Sequence, residues 1–321
     1  MKGKCSNPDC AAPISCHEGK ESFDDCGFWQ KEEEAKSKKE PSAQNIEIHN
    51  TLPWTGQSLS SNNLNQISIR NAPIVIGVIG KADAGKTTYL AMLFTLLLKG
   101  AQLEDYTFAG SKTIQGWDEL YHKLKVQKNK VSFPDPTPAQ YLRLLHLALR
   151  DKQKRLKDVV LSDASGEVFS LWSKNREDVN AENARWIYKS AHALILFIDC
   201  VDLINNKNVA KTEIIDLAQM LQHDLKNRPI IAVWSKADRI GEVHPTIKNS
   251  LKEELQSLFS NYDEIEISNF SKDDPDILVH QNNIKVLDWV LSKMYLSVAL
   301  TIPDSQIHSG DYFLNYKGGN Q

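Results

Sequence analysis

Between residues 72 and 294, short apolar runs alternate with stretches in which apolar residues recur every three to four positions. That alternation predicts strands and helices in turn. The runs at 73–80, 141–151, 156–163, 191–199, 228–235 and 263–268 read as strands, and a helical period follows at 87–98, 181–190, 212–225, 247–259 and 284–294. Strands apolar on both faces and separated by helices indicate a mostly parallel sheet covered on both sides, an α/β fold. The runs at 141–150 and 157–161 are joined by the charged "DKQKRL". That connection is too short for a crossover helix, so these two strands must pair antiparallel.

Ahead of residue 71 the pattern fails. The expected organisation is a cysteine-rich module at 1–30, a linker at 31–70, the main domain at 71–296 and a tail at 297–321. The linker opens on "KEEEAKSKKEPSAQ", solvated by its balanced charges, and continues rich in Asn, Ser and Gln; Ile46, Ile48, Leu52 and Trp54 are placed to lean on the main domain. A chain of 321 residues with 41% hydrophobic content suffices for one principal domain plus appendages. With 38 basic and 41 acidic residues the net charge is -3, so no global field favours nucleic acid or an anionic membrane. The start, "MKGKCSNPDC", has no apolar signal core and the chain has no membrane-length apolar run, which leads to a cytoplasmic expectation.

Four of the five cysteines, Cys5, Cys10, Cys16 and Cys26, fall in that first module, spaced Cys-x4-Cys-x5-Cys-x9-Cys with His17 beside the third. In a reducing compartment such a cluster points to metal before disulfides, and four thiolates can close a tetrahedral structural Zn2+ site. The Cys-x2-Cys knuckle is absent, so reactive or incidental thiols stay open as the alternative.

The stretch "GKADAGKT" (Gly80, Lys81, Ala82, Asp83, Ala84, Gly85, Lys86, Thr87), followed by Thr88, sits between an apolar strand and a helix. Two glycines with four residues between them, then Lys and Thr, form a phosphate loop whose backbone N–H groups wrap a phosphate chain. Lys86 would reach the β- and γ-phosphates and the Thr87 hydroxyl would ligate Mg2+. A nucleoside triphosphate is the expected ligand. At "AVWSKADRI" a strand ends in Ser235, Lys236, Ala237 and Asp238, similar to the fourth motif of GTPases. The Asp238 carboxylate can accept from both the ring N–H and the exocyclic amine of guanine, which adenine cannot offer, while the Lys236 stem covers the base.

Taken in order, "GKADAGKT", "DPT", "DASG", "SKAD" and "ISN" resemble the translation-factor-related class of phosphate-loop GTPases over about residues 72–295. The resemblance implies a Ras-like domain that binds GTP or GDP with Mg2+. It makes Asp163 of "VVLSDASGE" the outer-sphere Mg2+ partner and the Gly166 N–H the γ-phosphate sensor. It makes Thr137 of "DPT" the threonine that closes over Mg2+, with Thr113 as competitor, and implies an insertion with its own helix around 117–126. The backbone of Ser268 and Asn269 would donate to guanine O6. The cysteine-rich start, "LPWTG" and "FAGSKT" look like bacterial predicted GTPases of conflict or defence loci, which implies an effector or activating protein as partner.

Two departures bear on mechanism. Glu167 stands where many relatives carry a water-orienting Gln, and its charge opposes the γ-phosphate, so slow turnover is expected. Asp83 stands where potassium-activated relatives place an Asn, so either a K+ site or simple capping follows. A GTP-bound scaffold with negligible hydrolysis and an ATP-dependent phosphate-loop enzyme remain the alternatives.

Overall fold

The computed structural model describes residues 3–10, 19, 22, 25–31, 56–68, 72–123, 126–127, 130–131, 138, 141–271 and 276–294. The chain divides into two units, Met1–Thr51 and Leu52–Gln321. In the first, strands Gly3–Cys5 and Trp29–Lys31 pair antiparallel and set Cys5 opposite Trp29.

The main sheet of the second unit has seven strands: β1 (Ile74–Ile79), β2 (Tyr106–Gly110), β3 (Leu142–Asp151), β4 (Leu156–Ala164), β5 (Ala193–Asp199), β6 (Ile230–Ser235) and β7 (Tyr262–Glu266). Their order across the sheet is β7-β6-β5-β1-β4-β3-β2. The first five in that order run parallel, and β3 runs against both β4 and β2. One antiparallel strand in a mostly parallel sheet is what the short 151–156 connection requires.

Helices α1 (Lys86–Leu98), α2 (Ile114–Lys123) and α7 (Asn282–Met294) cover one face, where Leu90, Leu93, Trp117, Leu145, Ile195, Val286 and Val290 form a common core. On the other face lie α3 (Gly166–Lys174), α4 (Glu182–Ser190), α5 (Cys200–Gln222) and α6 (Pro245–Leu258), closing over Ile79, Phe169, Leu196, Trp234 and Leu251. A smaller cluster places Leu59 and Ile67, from the Asn-rich segment, against Val75, Leu144 and Val160. Leu59 also bridges to Leu144 through backbone hydrogen bonds, so residues 56–68 pack on the domain; Ile46, Ile48, Leu52 and Trp54 lie outside the described residues.

Three elements escape the hydrophobic pattern. Strand β2 is an edge whose residues alternate between half-buried and exposed, so "YTFAG" carries no apolar run. Helix α3 is short and opens at Gly166 behind the cap Ser165, whose Oγ accepts from the Glu167 N–H at 3.3 Å. Helix α5 starts directly after Asp199, whose Oδ1 accepts from the Val201 N–H at 2.8 Å, and it is broken at Lys207 (φ 46, ψ -119), so only its second half shows a clean period.

The inserted helix α2 is locked to the domain by Trp117. Its indole stacks on Phe94, with ring centroids 4.7 Å apart, and its Nε1–H donates to the His146 carbonyl on β3 at 2.9 Å. Fully buried aromatic packing of this kind is worth several kcal/mol. Trp117→Ala is expected to lower the unfolding free energy by about 3–5 kcal/mol, read from urea denaturation against wild type.

Candidate functional site

Parallel strands β1, β4, β5 and β6 all end on the same side of the sheet, and the loops that leave them enclose a cleft of about 510 Å3. A crevice at the carboxyl ends of the strands is the general ligand position of such sheets. Its walls are the loop 82–88, the turn 164–167, the pair Lys236 and Asp238, and residues 268–270. Segments far apart in sequence meet there because their strands are neighbours.

The loop after β1 turns through Asp83 at φ 60 and Gly85 at φ 84, both in the left-handed region, which delivers the chain into α1. Lys86, the first residue of α1, is buried, and its Nζ donates to the Gly80 carbonyl at 2.9 Å and the Lys81 carbonyl at 2.7 Å. Among the described residues no carboxylate lies within ion-pair distance of it. Burial pulls its pKa down to about 8, against the milder upward pull of Asp163 and Asp83. Lys81 points the other way and ties the loop to α5 through Asp202 at 2.7 Å and through Glu213.

At the far end of the loop, the Thr87 Oγ1 donates to Asp163 Oδ1 at 2.8 Å. Two hard oxygen donors side by side at the cleft fit a Mg2+ ion. The other carboxylate oxygen, Oδ2, lies 3.0 Å from an Nη of Arg143, its cross-strand partner on β3; both side chains are almost fully buried. That contact is ionic rather than a well-aligned hydrogen bond, since Asp163 Oδ2 and Arg143 Nε lack hydrogen-bond partners. The Tyr141 ring supports the guanidinium from 5.2 Å.

Gly166 touches the phosphate loop so closely that a Cβ there would sit 2.0 Å from the Ala82 nitrogen, so only glycine fits this approach. Glu167 is exposed and lines the cleft. On the opposite wall, Lys236 adopts φ 54 and its Nζ pairs with Asp199 at 2.6 Å. The Ser268 hydroxyl donates to Asp238 Oδ1 at 3.1 Å, with the Phe270 carbonyl 3.2 Å away. Backbone bonds from Ala237 N to Ile267 O (2.9 Å) and Ile267 N to Trp234 O (2.8 Å) hold those two segments in register.

The cleft thus brings together Asp83, Ala84, Gly85, Lys86, Thr87, Thr88, Gly166, Glu167, Lys236, Asp238, Ser268 and Asn269. Gly80 and Asp163 sit just behind the wall through the bonds already described, and Ser235 turns inward, its Oγ donating to the Ile198 carbonyl at 3.2 Å. Thr137 lies outside the described residues. Its competitor Thr113 is fully buried away from the cleft, with its Oγ1 accepting from the His146 N–H at 2.8 Å. Arg176 is engaged by Asp224, and Arg185 by the carbonyls of Arg176 and Asp178.

Among the described residues of the first unit, Cys5, Cys10 and Cys26 form no disulfide, while Cys16 and His17 lie outside them. A backbone bond from Asn7 lowers the Cys5 pKa, but burial, a hydrogen bond with Cys10 and the nearby Cys26 outweigh it and raise the thiol. No group of three or more His, Cys, Asp or Glu among the described residues is placed to hold a metal ion. No helix among them is long and apolar enough to cross a membrane.

Arg143, Asp199 and Phe270 were not singled out by motif. For Arg143 a signal exists in the sequence: "YLRLLHLALR" places an arginine in a strand that is otherwise apolar, and a charge at such a position needs a buried partner.

A family model described as Double-GTPase 2 matches residues 74–290. Comparison with curated proteins yields no match. Among solved structures, the crystal structure of a mutation variant of SsGBP aligns at 15% identity with a TM-score of 0.36, over 73% of this chain and 58% of that one.

The buried ammonium gives a pH signature. Because the folded pKa of Lys86 is depressed to about 8 from 10.5, the unfolded chain binds more protons between those values, and stability rises with pH across that window. In nucleotide-free protein, wild type is expected to gain about 3 kcal/mol relative to Lys86→Met between pH 8 and 10.5, measured by parallel urea titrations.

Proposed function

Since the chain belongs to the Double-GTPase 2 family, and so to the P-loop GTPases, we propose that it is a GTP-binding and GTP-hydrolysing molecular switch whose nucleotide state controls a partner protein. The observation that carries this reading is the Lys86 ammonium, buried at the cleft with only carbonyl partners, beside a helix N-terminus. An ammonium in that position is matched by a phosphate chain entering the cleft. Thr87 and Asp163 would hold Mg2+, with Thr137 joining in the triphosphate state; when bound, the ion neutralises charge on the β- and γ-phosphates. The chain's own contributions are the loop N–H groups that orient the phosphates, Lys86 that balances their charge, and the Gly166 N–H that meets the γ-phosphate.

Guanine selectivity rests on Asp238, whose carboxylate is fixed by Ser268 while Lys236 is fixed by Asp199. Glu167, exposed at the start of α3, accepts from water but opposes the phosphate charge, which makes intrinsic turnover slow. A scaffold that binds GTP without turning it over is separated from a switch by single-turnover hydrolysis, and an ATP enzyme by competition between ATP and labelled GTP.

The same reading extends to three further points. K+ beside Asp83 is tested by comparing hydrolysis in potassium and sodium. A structural Zn2+ held by Cys5, Cys10, Cys16 and Cys26 is tested by elemental analysis of protein purified under reducing conditions, one zinc per chain being expected. The partner is an effector or activating protein, and the resemblance to conflict-locus GTPases is what suggests a bacterial defence setting; hydrogen exchange over 100–140 and 163–185 should then differ between GDP and a non-hydrolysable GTP analogue.

Asp238→Ala is expected to weaken GDP binding by about 1–3 kcal/mol and to erase the preference over ADP, read by calorimetry. Lys86→Ala is expected to abolish single-turnover GTP hydrolysis while the folded circular dichroism spectrum is retained.

A further inference from the structure

The guanine wall contains one polar side chain that the fold leaves idle. Asn269 follows Ser268 at the end of β7, is only 7% exposed, and lines the cleft, yet its Oδ1 is buried without a hydrogen-bond partner. Native folds rarely leave a buried amide unsatisfied, and those that remain mark strain or a missing ligand. The position of this amide is specific. A Cβ placed on Gly85 would meet Asn269 Nδ2 at 3.7 Å, Ser235 Cβ at 3.8 Å and Ser235 Oγ at 4.0 Å, so the phosphate loop, the end of β6 and the Asn269 carboxamide converge on one point. Ser235 offers no donor to the cleft there, because its hydroxyl hydrogen is given to the Ile198 carbonyl.

Resting on the guanine reading above, we infer that the Asn269 side chain is a base-binding group that donates to N7 of the guanine base. Asp238 takes the donors of the Watson–Crick edge, the ring N–H and the exocyclic amine. The other edge of guanine carries two acceptors, N7 and O6. A carboxamide is suited to that edge because its NH2 group donates, and a half-turn about its last bond exchanges NH2 and oxygen with little change of shape. It is the NH2 group that donates to N7 when the base arrives. Adenine also carries an N7 acceptor, so Asn269 supplies affinity for a purine at that edge and discriminates guanine from adenine only together with Asp238.

The test is equilibrium binding of GDP, 7-deaza-GDP and ADP with Mg2+ to the full chain and to Asn269→Ala. 7-Deaza-GDP replaces N7 by a C–H and leaves every other guanine group in place. Wild type is expected to bind 7-deaza-GDP about tenfold more weakly than GDP, and Asn269→Ala is expected to bind both equally, at the weaker level. Adding Ser235→Asn to Asn269→Ala should restore part of the preference, since it returns a carboxamide to the same point from the neighbouring strand. Equal binding of GDP and 7-deaza-GDP by wild type overturns the inference without needing any variant. A preference that persists in Asn269→Ala overturns it too. ADP bound as tightly as GDP overturns the guanine reading itself, an outcome distinct from the other two.

Discussion

The structure turns on a positive charge kept out of water. Lys86 is carried into the mouth of the sheet by α1, and the loop that precedes it uses left-handed backbone at Asp83 and Gly85 to bring its carbonyls over the ammonium. Two carbonyl dipoles accept from the ammonium but do not neutralise its charge, which is why burial dominates the titration of this group. The surrounding architecture maintains that imbalance: Lys81 is drawn aside by Asp202 and Glu213, and Asp163 is occupied by Thr87 and Arg143. Asp202, Glu213 and Asp163 are thus engaged elsewhere, and the ammonium is left for an anion to match.

Much of this was legible in the sequence. The apolar runs located six of the seven strands of the sheet, because strands buried on both faces cannot hide their composition. The charged "DKQKRL" fixed the antiparallel pair, and "GKADAGKT", "DASG", "SKAD" and "ISN" lie on loops that the sheet gathers around one cleft, while "DPT" lies outside the described residues. The phosphate-loop and guanine motifs were readable because each combines several residue types at fixed spacing between a strand and a helix.

What stayed hidden shares a physical cause. Strand β2, helix α3 and the first half of α5 are short, edge-like or capped by polar residues, so tertiary packing rather than periodicity decides them. The Arg143–Asp163 pair joins residues on adjacent strands, and nothing in a linear sequence says which residues will stand opposite each other. The convergence of Gly85, Ser235 and Asn269 is hidden for the same reason.

The central place of β1 also shapes how the chain is made. The strand that carries the phosphate loop is the first of the sheet to emerge in synthesis, yet it lies between β4 and β5, which come much later; the bond from Val75 N–H to His192 Nδ1 spans 117 residues. At about 5–20 residues per second, a growing chain holds that apolar strand without its second neighbour for about 6–23 s. Contacts of this range also slow folding, because the intervening loop must close before they reward it. During that interval the strongly apolar "IVIGVI" keeps one edge unpaired, which puts the period of greatest aggregation risk before β5 is complete.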